Sequence, residues 1–99
     1  GVEAVKSSIK DGRKVVTTAG TRVALSATSV PCKHVTIVAE TNNTDIVVIG
    51  GITVVAALAT RQGVPLYPGD TYDLDIDNLA DVYEDALVST EGVTFVYFN

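Results

Sequence analysis

Cys32-Lys33-His34 holds the only cysteine and the only histidine of the chain. Two residues apart on a strand, they would share a face, so a thiolate–imidazole pair is geometrically conceivable. Such a pair needs a third group to orient the base, and that group usually comes from a distant part of the fold. The simpler expectation is a small buried cysteine at the start of a strand and a surface histidine. Zinc held by one chain takes four ligands, and Cys32 and His34 supply two; a metal would need three His34 side chains meeting on a symmetry axis. The second constellation is Asp73-Leu-Asp75-Ile-Asp77-Asn78, with Glu84 eleven residues after Asp73. It has the outline of a calcium loop, but Asn78 stands where the sharp turn needs glycine. Leu74 and Ile76 alternate as in a strand, which lines the three aspartates along one face instead of converging them on an ion.

The remaining inventory is thin. Gly50-Gly51 lacks the context of a nucleotide-binding loop. Asn42-Asn43-Thr44 fits the glycosylation sequon, which matters only in a secreted eukaryotic protein. Tyr67, Tyr72, Tyr83 and Tyr97 could form a sugar platform, although Tyr72 and Tyr97 fall on apparent core faces and the chain has no Trp. No nucleophile, base and orienter can be assembled from these residues, so neither an enzyme nor a cofactor is expected.

The elements that would carry these residues are strands. The chain has 99 residues, the length of one domain, and is 46% hydrophobic, with Val, Ile, Ala and Thr prominent. β-branched side chains are stiff at χ1 and pack well on a pleated surface. Turn signals recur at short intervals, as in an antiparallel sandwich. We expect a polar N-terminal arm over residues 1–12 and a single β-sandwich domain over 13–99, all-β, with about eight strands in a jelly-roll or Ig-like arrangement. Within it, Arg13 to Thr18 and Arg22 to Ser26 look like a hairpin around Ala19-Gly20-Thr21. Val35, Ile37 and Ala39 alternate inward, and Asp45 to Ile49 is apolar on both faces, as in a central or covered strand. Ile52 to Ala59 reads as a strand or one helical turn. Thr71 to Asp77 is the clearest strand, with Tyr72, Leu74 and Ile76 facing one way.

The formal charge is −5. A nucleic-acid partner requires clustered cations, and an anionic membrane surface repels an acidic chain, so neither is expected. The charge is also uneven. Lys6, Lys10, Arg13, Lys14, Arg22 and Lys33 lie in the first third, whereas Asp70, Asp73, Asp75, Asp77, Asp81, Glu84, Asp85 and Glu91 follow with no Lys or Arg among them. Two arrangements would satisfy this asymmetry: pairing of N- and C-terminal strands within one sheet, or a head-to-tail contact between subunits.

Several ordered motifs carry a likeness. Lys14-Val-Val-Thr-Thr-Ala-Gly-Thr-Arg-Val-Ala-Leu-Ser26, Val30-Pro-Cys-Lys-His-Val-Thr-Ile37 and Val47-Val-Ile-Gly-Gly51 begin it. Gly63-Val-Pro-Leu-Tyr-Pro-Gly-Asp70, Leu74-Asp-Ile-Asp-Asn-Leu79 and Gly92-Val-Thr-Phe-Val-Tyr97 continue it. Together they resemble small virion structural proteins of tailed bacteriophages, over about Lys14 to Phe98. The resemblance implies a compact, non-catalytic β-sandwich that decorates or stabilises a capsid, or serves in a head fibre or tail. It also implies assembly in the bacterial host cytoplasm, a homotrimer, and a major capsid protein or other virion protein as partner. The expected subunit or capsid contacts are Lys6, Lys10, Arg13 and Lys14, the apolar group Ile52, Val54, Val55 and Leu58, and the acidic strip Asp73, Asp75 and Asp77. A carbohydrate-binding sandwich is the rival reading from another class, and it requires exposed tyrosines.

Overall fold

The segment His34–Ala39 shows most simply why this chain folds as it does. Its side chains alternate without exception, with Val35, Ile37 and Ala39 fully buried and His34, Thr36 and Val38 on the other face. A period of two over six residues puts a half-buried strand against a core. In the computed structural model, which describes residues 8–99, this segment is the third of eight strands. They are β1 (Ile9–Val16), β2 (Val23–Ala24), β3 (His34–Ala39), β4 (Val47–Gly50), β5 (Val64–Leu66), β6 (Thr71–Leu74), β7 (Tyr83–Ala86) and β8 (Glu91–Phe98), with short 3₁₀ turns at Leu58–Thr60 and Leu79–Asp81.

Two antiparallel four-stranded sheets form, in the orders β1-β8-β3-β6 and β2-β7-β4-β5. The neighbours β1/β8, β2/β7, β3/β6 and β4/β5 are nested, as if one long hairpin had been rolled up with alternate stretches in alternate sheets. That nesting is the jelly-roll arrangement, and of the two sandwich types expected it is the one observed. The inner faces enclose one core that includes Val16, Val35, Ile37, Val47, Ile49 and Val93.

The hairpin expected between Arg13 and Ser26 does not form. β1 pairs with β8, and β2 pairs with β7 in the opposite sheet. The turn between them is real, with the Thr21 N–H donating to the Thr18 carbonyl, but it carries the chain across the edge of the sandwich. Turn chemistry is local, whereas the choice of neighbour is set by the nested pairing. The boundary expected at residue 13 also moves. β1 starts at Ile9, and Ile9 to Gly12 pair with Phe98 to Phe95. Ile9, Lys10 and Asp11 are exposed on an edge strand, and the polarity of Lys10 and Asp11 imitates an arm. Gly12 belongs there because the Phe95 ring lies across it; a Cβ would come within 2.6 Å of that ring. Residues 1–7, the rest of the expected arm and with it Lys6, lie outside the described residues.

The stretch Ile52 to Ala59 forms no strand, and of the expected helical turn only its end appears, where Leu58 and Ala59 enter the 3₁₀ turn Leu58–Thr60. The stretch folds back over the outer face of the β2-β7-β4-β5 sheet, tied by a bridge between Val55 and Gln62. There Val54 and Ala56 pack on Ile46, Val48 and Tyr83 as a second, smaller core. This is why β4 is apolar on both faces: Val47 and Ile49 serve the main core, and Val48 serves the second. Val54 is 2% exposed, so it is not part of a free contact patch, and Val55 is half-buried. Burying a valine in this way contributes about 1.5–3 kcal/mol. Ile52 and Leu58 do remain exposed.

Candidate functional site

Among the described residues, one outer face of the sandwich is covered by its own chain and the other is open. The open one is the outer face of the β1-β8-β3-β6 sheet. The antiparallel register places His34 opposite Phe98 and Thr36 opposite Val96 on β8, with Ile9 opposite Phe98 on the other side. An apolar row results, Ile9 being 74%, Val96 40% and Phe98 39% exposed. Beside it runs a shallow groove of about 490 Å³ lined by Asp11, Gly12, Arg13, Thr36, Val38 and Val96, among others. Arg13 is held at its rim by Glu40, with Nε donating to Oε2 at 2.5 Å and Nη2 to Oε1 at 3.3 Å.

The polar half of the face centres on His34. Its Nδ1 is 2.8 Å from Oδ1 of Asp75 and its Nε2 is 3.2 Å from Oδ1 of Asp73. The Thr36 hydroxyl donates to the same Asp73 oxygen at 2.5 Å, and the His34 ring stacks on Phe98 with centroids 5.7 Å apart. Only an imidazolium can donate from both nitrogens, so this geometry favours the charged ring. The bonds to Asp75 and then Asp73 raise the His34 pKa, and the Thr36 hydroxyl and then His34 lower that of Asp73. The cluster is therefore a proton-sensitive patch. It does not gather ligands, since each ring nitrogen meets a different carboxylate. Among the described residues no three His, Cys, Asp or Glu side chains converge as a metal site.

Cys32 lies elsewhere. It is buried in the main core, its thiol donates to the Ile76 carbonyl at 3.1 Å, and burial followed by the Asp77 charge raises its pKa. A nucleophilic thiol requires the opposite shift. Cys32 and His34 thus face different sides of the sheet and form no dyad. Asn78, the residue at the calcium loop's glycine position, accepts from the N–H groups of Ala80 and Val30, each at 3.0 Å, and so caps the 3₁₀ turn. Asp73, Asp75 and Asp77 are exposed while Tyr72, Leu74 and Ile76 pack on the core, as the alternation requires.

The expected contact residues fall in three places. Lys10, Arg13 and Lys14 lie on β1, at one edge of the open sheet. Asp73 lies on β6 at the other edge, with Asp75 and Asp77 in the chain that continues it. The expected pairing of N- and C-terminal strands within one sheet is made, β1 with β8 and β2 with β7, but β8 and β3 stand between the cations of β1 and Asp73, Asp75 and Asp77. Ile52 and Leu58 project from the covering loop of the other sheet.

Three acids from the C-terminal run, Glu84, Asp85 and Glu91, are buried. Asp85 accepts from the N–H groups of Ala56 at 2.9 Å, Gly20 at 3.1 Å and Ala86 at 2.9 Å, which anchors the covering loop. Glu91 accepts from the Thr44 N–H and hydroxyl at 2.6 and 2.7 Å and from the Asp45 N–H at 3.2 Å, fixing the Asn42-Asn43-Thr44 turn. Glu84 is different. It stands opposite Ile49 and Val23 on the inner face, is 0% exposed, and neither carboxylate oxygen has a hydrogen-bond partner among the described residues. Burial pushes its pKa up to about 9, with the Lys14 charge opposing and that of Glu40 adding. The sequence did hold a signal: two consecutive acids in a strand must place one of them inward.

Comparison with protein-family models, curated proteins and solved structures finds no match to the chain.

Proposed function

We propose that this chain is a non-enzymatic structural protein of a tailed-phage virion, seated as an oligomer on the capsid through the outer face of its β1-β8-β3-β6 sheet. The observation that carries this reading is the asymmetry of the sandwich. One sheet is covered by its own loop, while the other presents Ile9, Val96 and Phe98 to solvent beside a polar rim of Asp73, Asp75 and Arg13. An apolar centre with a charged rim is the anatomy of a protein contact. The jelly-roll architecture recurs in viral capsid and lectin domains, an analogy of fold that supports the motif resemblance without defining the site.

The carbohydrate-binding alternative finds less support. Tyr67 is 64% exposed, but Tyr72 and Tyr97 pack on the main core and Tyr83 on the second, so no tyrosine platform stands on the surface. A tail or fibre module shares the open face and differs only in the surface it meets.

The test is co-sedimentation of the purified chain with empty shells assembled from the major capsid protein of the same genome. We expect the chain to pellet with shells and a Val96→Glu variant to stay in the supernatant. Failure of the wild-type chain to bind, or undiminished binding by the variant, overturns the assignment to the capsid. Binding to tail tubes instead moves the contact to the tail.

A further inference from the structure

We propose that copies of this chain join edge to edge, β1 of one subunit adding to β6 of the next, so that the open sheet continues across subunits. Among the described residues, β1 and β6 each have one hydrogen-bonded neighbour and lie at opposite edges of the same sheet. The ladders show which backbone groups face outward. Glu40 N–H donates to the Gly92 carbonyl and Lys33 N–H to that of Phe98, so the even-numbered residues of β8 turn toward β3. The odd-numbered ones turn toward β1, where their partners are Lys10, Gly12, Lys14 and Val16. Alternate residues of an antiparallel strand address opposite sides, which leaves the N–H and C=O of Asp11, Arg13 and Val15 aimed at the free edge. On the far side, Ala39 exchanges bonds with Gly69 and Asp70, so Tyr72 and Leu74 face β3 and Thr71 and Asp73 face outward.

Charge then selects the partner edge. β1 carries Lys10, Arg13 and Lys14 against Asp11 and the Glu40 carboxylate that pairs with Arg13, an excess of positive charge, whereas Asp73, Asp75 and Asp77 mark the β6 edge with no Lys or Arg among them. His34 engages Asp73 and Asp75 from the β3 side, away from that edge. Two β6 edges together would oppose carboxylates, and two β1 edges would oppose cations; only β1 against β6 brings unlike charges together. Such a contact is heterologous, so it closes into a ring if the rotation allows, such as the trimer the resemblance implies, or else runs on as a filament. The inference stands on the two edges alone and holds whether or not the chain belongs to a virion.

The experiment is size exclusion with light scattering over a range of concentrations, at roughly 50 mM and 1 M salt. We expect the wild-type chain to associate at low salt and dissociate at high salt. Asp73→Lys with Asp75→Lys should weaken association by at least about tenfold through like-charge contact. Asp11→Pro removes an outward N–H where an edge strand tolerates proline, and should also leave monomers. Each variant keeps one sound edge, so an equimolar mixture of the two should give one-to-one dimers and nothing larger. A wild-type chain that stays monomeric at both salts, a variant that assembles as well as the wild type, or a mixture without dimers would each overturn the proposal. Cooperative melting of each variant verifies its fold. If the lysine pair does not fold, Asp73→Asn with Asp75→Asn carries the same test, with a smaller loss expected.

Discussion

Replacing Glu84 by glutamine should remove a pH dependence that the wild-type fold cannot avoid. In the unfolded chain this carboxyl ionises above about 4.5, whereas in the sandwich burial holds the proton until about 9. Between those values the unfolded state binds fewer protons than the folded one, so stability falls as pH rises. This contribution is intact below the unfolded value and is exhausted as pH passes the folded one. Each pH unit in the window removes about 1.4 kcal/mol, which makes about 3 kcal/mol at pH 7. That is a large share of the roughly 5–15 kcal/mol that holds a domain together. Glutamine keeps the shape and takes no part in the titration. The assay is urea or thermal unfolding of both proteins from pH 5 to 9. We expect the two to diverge with pH and the variant to melt roughly 10–20 °C higher at pH 7. Curves that stay parallel across the window would refute the reasoning, because they would mean that Glu84 is ionised, and therefore solvated or paired, in the fold.

Other expectations follow from particular contacts. His34 should titrate above 6.5 by NMR, its stabilising contribution present below that value and lost as pH rises through the raised one, and Asp75→Asn should lower it more than Asp73→Asn. Val54→Ala should destabilise by about 1–2 kcal/mol in chemical denaturation, because the methyls fill the second core, while Leu58→Ala, at a residue 80% exposed, should change stability by less than about 0.5 kcal/mol. Gly92→Ala should cost about 3 kcal/mol or more, or abolish folding as judged by circular dichroism. Its Cβ would strike the Lys14 carbonyl and lie 2.6 Å from the Val15 Cα, backbone atoms that cannot turn aside.

Much of the architecture can be read from side-chain period. Tyr72, Leu74 and Ile76 announce the inner face of β6 and its continuation, and the doubly apolar Val47-Val48-Ile49 announces a strand covered on both sides. Which strands are neighbours is less visible. Ala19-Gly20-Thr21 has the chemistry of a hairpin turn, yet the nested pairing sends its two arms to different sheets. The covering loop is hidden for a related reason: Val54 and Ala56 have no period of their own, and their burial depends on Ile46 and Val48 across the chain. At the open face, the exposure of Asp73 and Asp75 was legible, but their meeting with His34 needed the β3–β6 register. Asp85 and Glu91 look like solvent-facing acids because their partners are backbone N–H groups from distant turns. Glu84 alone had a local sign, the adjacency of Glu84 and Asp85 in one strand.

The most direct test of the central claim is cryo-electron microscopy of shells incubated with the purified chain. We expect ordered density at repeated positions on the shell, with Ile9, Val96 and Phe98 turned toward it and the loop bearing Leu58 turned to solvent. A chain that leaves no density on the shell, or that meets it through the covered sheet, would contradict the assignment of the open face as the attachment surface.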